Sequence, residues 1–280
     1  MKTLSEALFN KNNLKNRVND KYEFTGETMN YKGHTLYRIR ALKNLICGVM
    51  IGEEGGWIES ENNLDQEGQA WVFNEAKVYE RAYVYGDAKI ADNAQVYDGA
   101  YVYGDALITE DAQVYGNTQI YEDAIVYDSV EVYGNAKVYG DAEIFGNAQV
   151  YDNAQVYDNA QVSEYAKVYG DAKVNKNTLI KMKSRVFGNA IITDDAIISG
   201  YAKVYDNAIV DGYVCIQDHA EVFGNAIITG HANIKNNAKI FDNAIIRDQV
   251  EVRNNAKVYG NSEIGGDYKI EKDVEDQKIK

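Results

Sequence analysis

The sequence predicts an all-β fold, a parallel β-helix built from six-residue repeats over residues 70–264. Every sixth residue from Ala70 onward is small, every residue two places later is Val or Ile, and no residue is inserted or deleted. Repeats of this kind stack into a solenoid, because one repeat alone cannot bury its apolar face. Ala holds 26 of the 33 small positions. The exceptions are Thr118, Val130, Thr178, Ser184, Val214, Val250 and Ser262.

Each repeat combines a short strand with a corner, as residues 136–141 illustrate (Ala-Lys-Val-Tyr-Gly-Asp). The first three positions point in, out and in, which is the period of a β-strand. Gly, Asn and Asp follow the aromatic position, and these residues tolerate the left-handed backbone of a sharp bend. Three strands and three corners close one coil, so each coil contains three repeats. The array therefore predicts about 11 coils.

Residues three repeats apart should stack in columns, and the outward aromatic position supports this pitch. One column is aromatic in all eleven coils, whereas a second is Tyr in five coils and then changes. The first column is Tyr79, Tyr97, Tyr115, Tyr133, Tyr151, Tyr169, Phe187, Tyr205, Phe223, Phe241 and Tyr259. The second is Tyr85, Tyr103, Tyr121, Tyr139 and Tyr157, followed by Asn175, Thr193, Asp211, Thr229 and Arg247.

The spacing of the core residues resembles that of a known superfamily. An aliphatic residue followed four places later by Ala, Ser, Thr or Val recurs throughout, for example from Val138 to Ala142. This pattern resembles the hexapeptide-repeat superfamily, which implies a left-handed β-helix, often trimeric, and in many members an acyltransferase. The Tyr-Arg-Ile-Arg stretch at 37–40 and the Gly-Gly-Trp-Ile-Glu-Ser stretch at 55–60 make the chain similar to uncharacterised bacterial and prophage proteins. Those proteins are often labelled transferases on fold alone.

The two ends of the chain lack the repeat. We expect residues 1–69 to form a small N-terminal α+β cap, with a helix near Ser5–Val18 and a strand at His34–Arg40. The open end of a solenoid needs a cap, since exposed strand edges pair with other chains. A recognition domain is the alternative for this segment. Residues 265–280 form a charged C-terminal tail that either frays or lies as a short cap.

The negative charge is concentrated in the first half of the array. The whole chain has a net charge of −14, and residues 70–165 alone carry 4 basic and 17 acidic side chains. Affinity for phosphate backbones comes from Lys and Arg, so this half predicts no direct nucleic-acid binding. It predicts instead a protein partner with a basic surface.

Tyrosine dominates interface hot spots, and the second tyrosine column ends where the acidic excess ends. We therefore predict a non-catalytic, rod-like binding protein. A sharper hypothesis makes it a phage-encoded inhibitor whose acidic corners imitate DNA before a host defence protein. The predicted partner-binding residues are Tyr79, Tyr85, Tyr97, Tyr103, Tyr115, Tyr121, Tyr133, Tyr139, Tyr151, Tyr157, Asp87, Asp105, Asp123 and Asp141.

An apolar stripe in the second half predicts self-association. The outward position between the two core residues is Ile in four successive coils, and contiguous exposed apolar residues usually mark an interface. We expect a homo-oligomer, either a dimer or a trimer. The predicted interface residues are Ile191, Ile209, Ile227 and Ile245.

The alternative function is an acyltransferase acting at a trimer interface, which needs a general base, usually His. The chain contains three histidines, of which His219 and His231 are weak catalytic candidates because each replaces Asn or Asp at a corner. Enzymes of the superfamily tend to interrupt the helix with a loop, and this array has no interruption. We expect no cofactor and no metal site. Fold alone does not supply a function.

Composition bounds the cellular setting. Cys47 and Cys215 are too few and too isolated for a disulfide framework. No segment approaches the ~18 apolar residues of a membrane-spanning helix. We therefore expect a cytoplasmic protein without a membrane partner.

Overall fold

The computed structural model describes residues 20–279, which consist of strands and turns. The chain divides into two compact units, Met1–Gly140 and Asp141–Lys280. In both units the hexapeptide repeats form parallel β-coils of three short strands, so the predicted all-β solenoid is confirmed. The left-handed sense of winding stays a prediction from the resemblance. The helix predicted near Ser5–Val18 lies outside the described residues.

The first unit begins with an antiparallel hairpin, β1 (Tyr22–Tyr31) and β2 (His34–Ala41). The strand predicted at residues 34–40 is therefore confirmed, whereas β1 was not predicted. Its turn residues Lys32 and Gly33 have φ of 50° and 90°, and left-handed backbone at both central residues is typical of tight hairpin turns. Strand β3 (Glu54–Ile58) pairs antiparallel with β2 and parallel with the second strand of the array.

Twelve strands of two residues each complete the described part of the first unit. They lie in three sheets, A (β1-β2-β3-β5-β8-β11-β14), B (β6-β9-β12-β15) and C (β4-β7-β10-β13). These strands are β4 (Trp71–Val72), β5 (Lys77–Val78), β6 (Tyr83–Val84), β7 (Lys89–Ile90), β8 (Gln95–Val96), β9 (Tyr101–Val102), β10 (Leu107–Ile108), β11 (Gln113–Val114), β12 (Gln119–Ile120), β13 (Ile125–Val126), β14 (Glu131–Val132) and β15 (Lys137–Val138).

The N-terminal hairpin is anchored to the first coil by buried polar contacts. The amine of Lys21 is fully buried and donates to the carbonyl of Ala70 at 2.9 Å. Burial lowers the pKa of this amine to about 8. The hydroxyl of Tyr22 donates to the carbonyl of Leu64 at 3.0 Å. A Cβ on Gly55 would lie 2.7 Å from a side-chain carbon of Ile39, so only glycine fits there. These contacts hold the hairpin against the first coil, and its capping role stays a prediction.

The second unit holds the remaining strands. Its sheets are A (β17-β20-β23-β26-β29-β32-β35-β38), B (β18-β21-β24-β27-β30-β33-β36-β39) and C (β16-β19-β22-β25-β28-β31-β34-β37). The strands are β16 (Glu143–Ile144), β17 (Gln149–Val150), β18 (Gln155–Val156), β19 (Gln161–Val162), β20 (Lys167–Val168), β21 (Lys173–Val174), β22 (Leu179–Ile180), β23 (Arg185–Val186), β24 (Ile191–Thr193), β25 (Ile197–Ile198), β26 (Lys203–Val204), β27 (Ile209–Gly212), β28 (Cys215–Ile216), β29 (Glu221–Val222), β30 (Ile227–Gly230), β31 (Asn233–Ile234), β32 (Lys239–Ile240), β33 (Ile245–Ile246), β34 (Glu251–Val252), β35 (Lys257–Tyr259), β36 (Glu263–Ile264), β37 (Lys269–Ile270), β38 (Val274–Glu275) and β39 (Lys278–Ile279).

The pairing register confirms the predicted coil of three repeats in each unit. Gln95 lies opposite Lys77 and Gln113 in the first unit, and Arg185 lies opposite Lys167 and Lys203 in the second. The small and the Val or Ile positions are at most 1% exposed throughout the array. Burial of these apolar side chains drives the folding of both units.

Hydroxyl-bearing residues occupy some of the small core positions without leaving a buried polar group unpaired. Thr118 donates to the carbonyl of Tyr115 at 2.6 Å, and Ser184 donates to the carbonyl of Lys181 at 2.8 Å. In both cases the acceptor lies at the corner just before the hydroxyl-bearing residue. The local turn therefore satisfies the hydroxyl, which explains why Thr and Ser can replace Ala there.

The corners contain residues with left-handed backbone, as predicted. Asp152 and Asp206, for example, have φ of 58° and 57°. Their carboxylates accept from the backbone N–H of the residue one coil further on, Gly170 and Gly224, at 3.2 Å each. Many corner carboxylates therefore hold adjacent coils together, a structural role that was not predicted from the sequence.

The C-terminal segment after Ile264 forms three more short strands. Strand β39 pairs with β36 by bringing Lys278 opposite Glu263 and Ile279 opposite Ile264. These partners are closer in sequence than three full repeats, so the strict pitch ends with the array. The tail thus continues the three sheets as short strands, and a capping role for it stays a prediction.

Candidate functional site

The tyrosines of the first unit form two ladders. Neighbouring rings within each ladder are stacked, with centroids 4.7–5.0 Å apart and planes within 9° of parallel. The ladders are Tyr79, Tyr97, Tyr115 and Tyr133 along one corner, and Tyr85, Tyr103, Tyr121 and Tyr139 along another. Stacked rings stabilise adjacent coils beyond the area that they bury.

The rings become more accessible along each ladder. Tyr79 and Tyr85 are buried, and their hydroxyls have no hydrogen-bond partner among the described residues. Tyr103 and Tyr121 are half-buried. Burial raises the pKa of Tyr103 to about 12. The accessible part of this ladder therefore remains neutral at physiological pH.

Three carboxylates stack beside the second ladder. Asp87, Asp105 and Asp123 are exposed, occupy the last position of their repeats and follow one another on successive coils. None of them forms an ion pair within residues 20–279. Asp141 continues the series in the sequence and begins the second unit, where it is exposed. We call Asp87, Asp105 and Asp123, with the ladder beside them, the acidic edge.

The same repeat position is Asn at other corners, and there it forms amide ladders. In the first unit the amide of Asn117 donates to the side-chain oxygen of Asn135 at 3.2 Å. In the second unit the amide of Asn189 donates to Asn207 at 2.9 Å. Asparagine at this position thus links adjacent coils by a side-chain hydrogen bond. A column of three aspartates lacks the side-chain donor and adds like-charge repulsion, so the carboxylates of Asp105 and Asp123 exceed what the fold needs.

A further acidic column lies at another corner of the first unit. The backbone N–H of Asp128 donates to the carboxylate of Glu110 at 3.0 Å, and the backbone N–H of Glu110 donates in the same way to Asp92. A hydrogen bond with the Asp128 carboxyl raises the pKa of Glu110. These acids cap the next coil. Asp87 has a similar role, because its carboxylate accepts from the backbone N–H of Gln69 at 3.2 Å, whereas Asp105 and Asp123 accept no such hydrogen bond in the described chain.

Two of the predicted partner-binding tyrosines belong to the second unit. Tyr151 begins a ladder of stacked rings there, with centroids 4.8–5.0 Å apart through Tyr259. The hydroxyl of Tyr157 accepts from the amide of Asn175 at 2.5 Å, and the side-chain oxygen of Asn175 accepts from Thr193 at 2.5 Å. The second column thus changes here from stacked rings to a polar ladder.

The apolar stripe predicted as an oligomer interface is continuous. Ile191, Ile209, Ile227 and Ile245 are paired in register on neighbouring strands of sheet B. All four are half-buried, which is less exposure than the sequence suggested. Strands β27 and β30, which carry the two central isoleucines, run for four residues each. The strands are therefore longer at the centre of the stripe than in most of the array.

The three histidines have different neighbours. His34 contacts carboxylates of Glu59 and Glu80 at 3.0 and 3.2 Å. His219 precedes sheet A and stacks on Tyr201, whereas His231 precedes sheet C and stacks on Tyr213, with centroids 4.9 and 5.0 Å apart. The two catalytic candidates thus lie at different corners. In residues 20–279 no group of three His, Cys, Asp or Glu side chains could hold a metal ion.

Sequence reasoning missed a groove on sheet A of the second unit, which we call the cationic groove. It encloses about 490 Å³ and combines basic, aromatic and histidine side chains. Its lining residues are Tyr165, Lys167, Lys183, Arg185, Tyr201, Lys203, His219 and Glu221. Reading the charged residues column by column would have found it, because Lys167, Arg185 and Lys203 follow one another on successive coils.

One comparison with protein families agrees with this architecture. A family model described as "YdcK Beta solenoid repeat" matches residues 148–164. That match covers a small part of the chain, and the solenoid fold is shown by the stacked coils themselves. A search of curated proteins finds no match to the solenoid. Among solved structures, LpxA from Acinetobacter baumannii is 20% identical over 64% of this chain and 67% of that chain, with a TM-score of 0.26. That likeness is too distant to transfer an activity to the solenoid.

The described part of the solenoid, residues 20–279, contains no helix that is long and apolar enough to cross a membrane.

Proposed function

We propose that the protein is a non-catalytic interaction protein whose first unit binds a partner with a basic surface through the acidic edge. One observation carries this proposal. Asp87, Asp105 and Asp123 stack as exposed carboxylates without an ion pair in the described chain, where Asn117 and Asn135 form a neutral ladder at an equivalent corner.

The electrostatics of the acidic edge favour a cationic partner. Carboxylates one coil apart, about 4.8 Å, repel each other, and this repulsion costs folding free energy. Lysine or arginine side chains of a partner would remove the repulsion and form charge-assisted hydrogen bonds. Complementary charge also speeds association and selects against acidic proteins. The half-buried rings of Tyr103 and Tyr121 add the aromatic contact area on which interface hot spots depend.

A sharper form of the proposal identifies the partner as a nucleic-acid-binding protein, to which the carboxylate column substitutes for phosphates. A protein of this kind would inhibit a defence protein by occupying its nucleic-acid-binding surface. Duplex DNA should then compete with the solenoid for the partner, and the competition should weaken as salt screens both interactions. If duplex DNA does not affect binding, the DNA-like form of the proposal is wrong, whereas the proposal of a partner with a basic surface still stands.

The decisive experiment compares two charge-matched variants. Asp105→Asn with Asp123→Asn removes two charges from the acidic edge, and Asp171→Asn with Asp195→Asn removes two from the same repeat position in the second unit. A partner captured from bacterial lysate should be purified and titrated against both. We expect the first variant to bind at least tenfold more weakly and the second within twofold of the unchanged protein. Equal affinity of all three proteins would contradict the proposal.

Self-association through the isoleucine stripe is part of the same proposal. A charged or polar side chain would serve the outward position equally well, as Lys173 does in β21. Four isoleucines in register instead leave apolar area in contact with water. Ile209 and Ile227, on the longer strands at the centre of the stripe, would contact the same stripe of a second copy. An isologous contact of this kind closes a dimer.

An acyltransferase is the second candidate, and the position of His219 favours it. This side chain lies in the cationic groove beside Lys203 and Tyr201, and an imidazole is the usual general base of such enzymes. An acyl-CoA binding and transfer assay tests the candidate, with His219→Asn as the variant. Loss of transfer with retained acyl-CoA binding would support it, whereas absence of transfer by the unchanged protein would exclude it.

A further inference from the structure

The cationic groove concentrates positive charge at one place on the second unit. Lys167, Arg185 and Lys203 lie in register on the neighbouring strands β20, β23 and β26. Lys183 reaches the same groove from the adjacent corner. Like charges opposite each other on a sheet are destabilising, so the folded chain maintains this cluster at a cost in stability.

Most of these cations lack a carboxylate. Lys167, Lys183 and Arg185 form no ion pair among the described residues, although ion pairs are frequent elsewhere in this unit. One coil beyond the cluster the charges are balanced, because Glu221 pairs with Lys203 at 3.0 Å and with Lys239 at 3.2 Å. The excess positive charge is therefore local to the groove.

The fold itself does not require cations at these positions. The same outward position of sheet A is Gln95 and Gln113 in the first unit and Gln149 in the second. Glutamine adds no charge repulsion and fits the strand equally well. The run of Lys167 and Arg185 therefore serves something other than packing.

The groove also has aromatic walls. Tyr165 and Tyr201 lie two coils apart and are 56% and 51% exposed. The amine of Lys183 lies over the ring of Tyr201, 5.4 Å from its centroid. The ring of Tyr165 has no stacked aromatic neighbour in the described chain, so its face can contact a ligand. A volume of about 490 Å³ suits a small organic molecule.

We infer that the cationic groove binds a small organic diphosphate, with its phosphoryl oxygens on Lys167, Lys183 and Arg185 and its organic part against Tyr165. A diphosphate supplies several negative charges within one small group, which matches three unpaired cations on adjacent coils. The guanidinium of Arg185 can donate two parallel hydrogen bonds to one phosphoryl group. Nucleoside diphosphates and other organic diphosphates share this chemistry. The inference is independent of the acidic edge, which lies in the other unit.

Calorimetric titration at low salt tests the inference with three probes, inorganic pyrophosphate, ADP and adenosine. The unchanged protein is compared with Lys167→Gln/Arg185→Gln and with the control Lys173→Gln/Lys257→Gln, which removes two exposed cations from sheet positions outside the groove. We expect ADP to bind more tightly than pyrophosphate and adenosine to bind least. The groove variant should lose at least tenfold in affinity for ADP, and the control should stay within twofold.

Three results would overturn the inference. The first is the absence of binding of both pyrophosphate and ADP to the unchanged protein. The second is an equal loss of affinity in the groove variant and the control, which would indicate attraction by net charge alone. The third is adenosine binding as tightly as ADP, which would show that the phosphates are not recognised. Circular dichroism of each variant checks that the solenoid is intact.

Discussion

The side-chain amide of Asn207 donates a hydrogen bond to the side-chain oxygen of Asn225, one coil further along the chain, at 3.1 Å. The amide of Asn225 donates in turn to Asn243 at the same distance. Each asparagine thus acts as donor and acceptor, and the corner is held by a neutral ladder. The acidic edge occupies the equivalent position of other repeats without any side-chain donor, so the same scaffold can be tuned for stability or for charge.

Exchanging the two kinds of column should change stability in opposite directions. Asp105→Asn places an amide donor between Asp87 and Asp123 and removes repulsion, so we expect a gain of roughly 0.2–1 kcal/mol. Asn207→Asp removes a donor and should cost about as much. Calorimetric melting temperatures of the two variants measure this. A lower melting temperature for Asp105→Asn would show that the carboxylate contributes to folding.

Removing rings from the tyrosine ladder of the acidic edge should weaken partner binding and lower the stability of the fold. Replacing Tyr103, Tyr121 and Tyr139 together by Ser removes stacking worth about 0.5–1.5 kcal/mol per pair and the aromatic part of the proposed contact. We expect the melting temperature to fall and the partner to be lost.

The matched control replaces Tyr205, Phe223 and Phe241 by Ser in the ladder of the second unit. It should lower the melting temperature by a similar amount and leave the partner bound. If the triple variant of the first unit keeps every interaction of the protein, the proposed role of the acidic edge is wrong.

Charge in the apolar stripe should dissociate the oligomer. Ile209→Asp with Ile227→Asp places two carboxylates at the centre of the isoleucine stripe, and burying them against a second copy would be unfavourable. We expect a folded monomer by light scattering, half or a third of the mass of the unchanged protein. The control Lys89→Asp/Lys257→Asp, at exposed positions of sheets C and A, should retain the original mass. An unchanged mass of the isoleucine variant would exclude this interface.

The tyrosines of the ladders should ionise at a higher pH than free tyrosine, and their ionisation should lower the stability of the fold in alkaline solution. Burial raises the pKa of Tyr103, Tyr115 and Tyr205 to about 12, above the value near 10 expected for an unfolded chain. The folded state therefore holds more protons between these values, so stability is fully present below pH ~10 and decreases as the pH rises towards ~12.

Ultraviolet absorbance of tyrosinate and circular dichroism, followed together, test this expectation. We expect a group of tyrosines to ionise near pH 12 or only on unfolding. Complete ionisation near pH 10 with the fold intact would contradict the burial of the ladders.

The strict repeat explains how much of the structure could be predicted from the sequence. Pitch, core and ring ladders follow from periodicity, because a single insertion would have displaced Val78 or Tyr79 from its column. The corner hydrogen bonds of Asp152 and the hairpin strand Tyr22–Tyr31 were not predicted, since neither follows from the period.

The cationic groove was also missed, for a different reason. It forms from two adjacent columns, one containing Lys167 and Arg185 and the other Tyr165 and Lys183. Residues of the two columns are close in space at every coil, but only a reading of charge by column reveals that the cations accumulate.

The three-repeat coil is tested most directly by cross-linking residues that lie one above the other on adjacent coils. In a background of Cys47→Ser and Cys215→Ser, Asn207→Cys with Asn225→Cys should form a disulfide under mild oxidation, because adjacent coils bring such pairs within the ~4.4–6.8 Å between Cα atoms that a disulfide needs. Asn225→Cys with Asn237→Cys, two repeats apart and at different corners, should remain reduced. Cross-linking of the second pair and not the first would contradict the three-repeat coil on which every assigned surface depends.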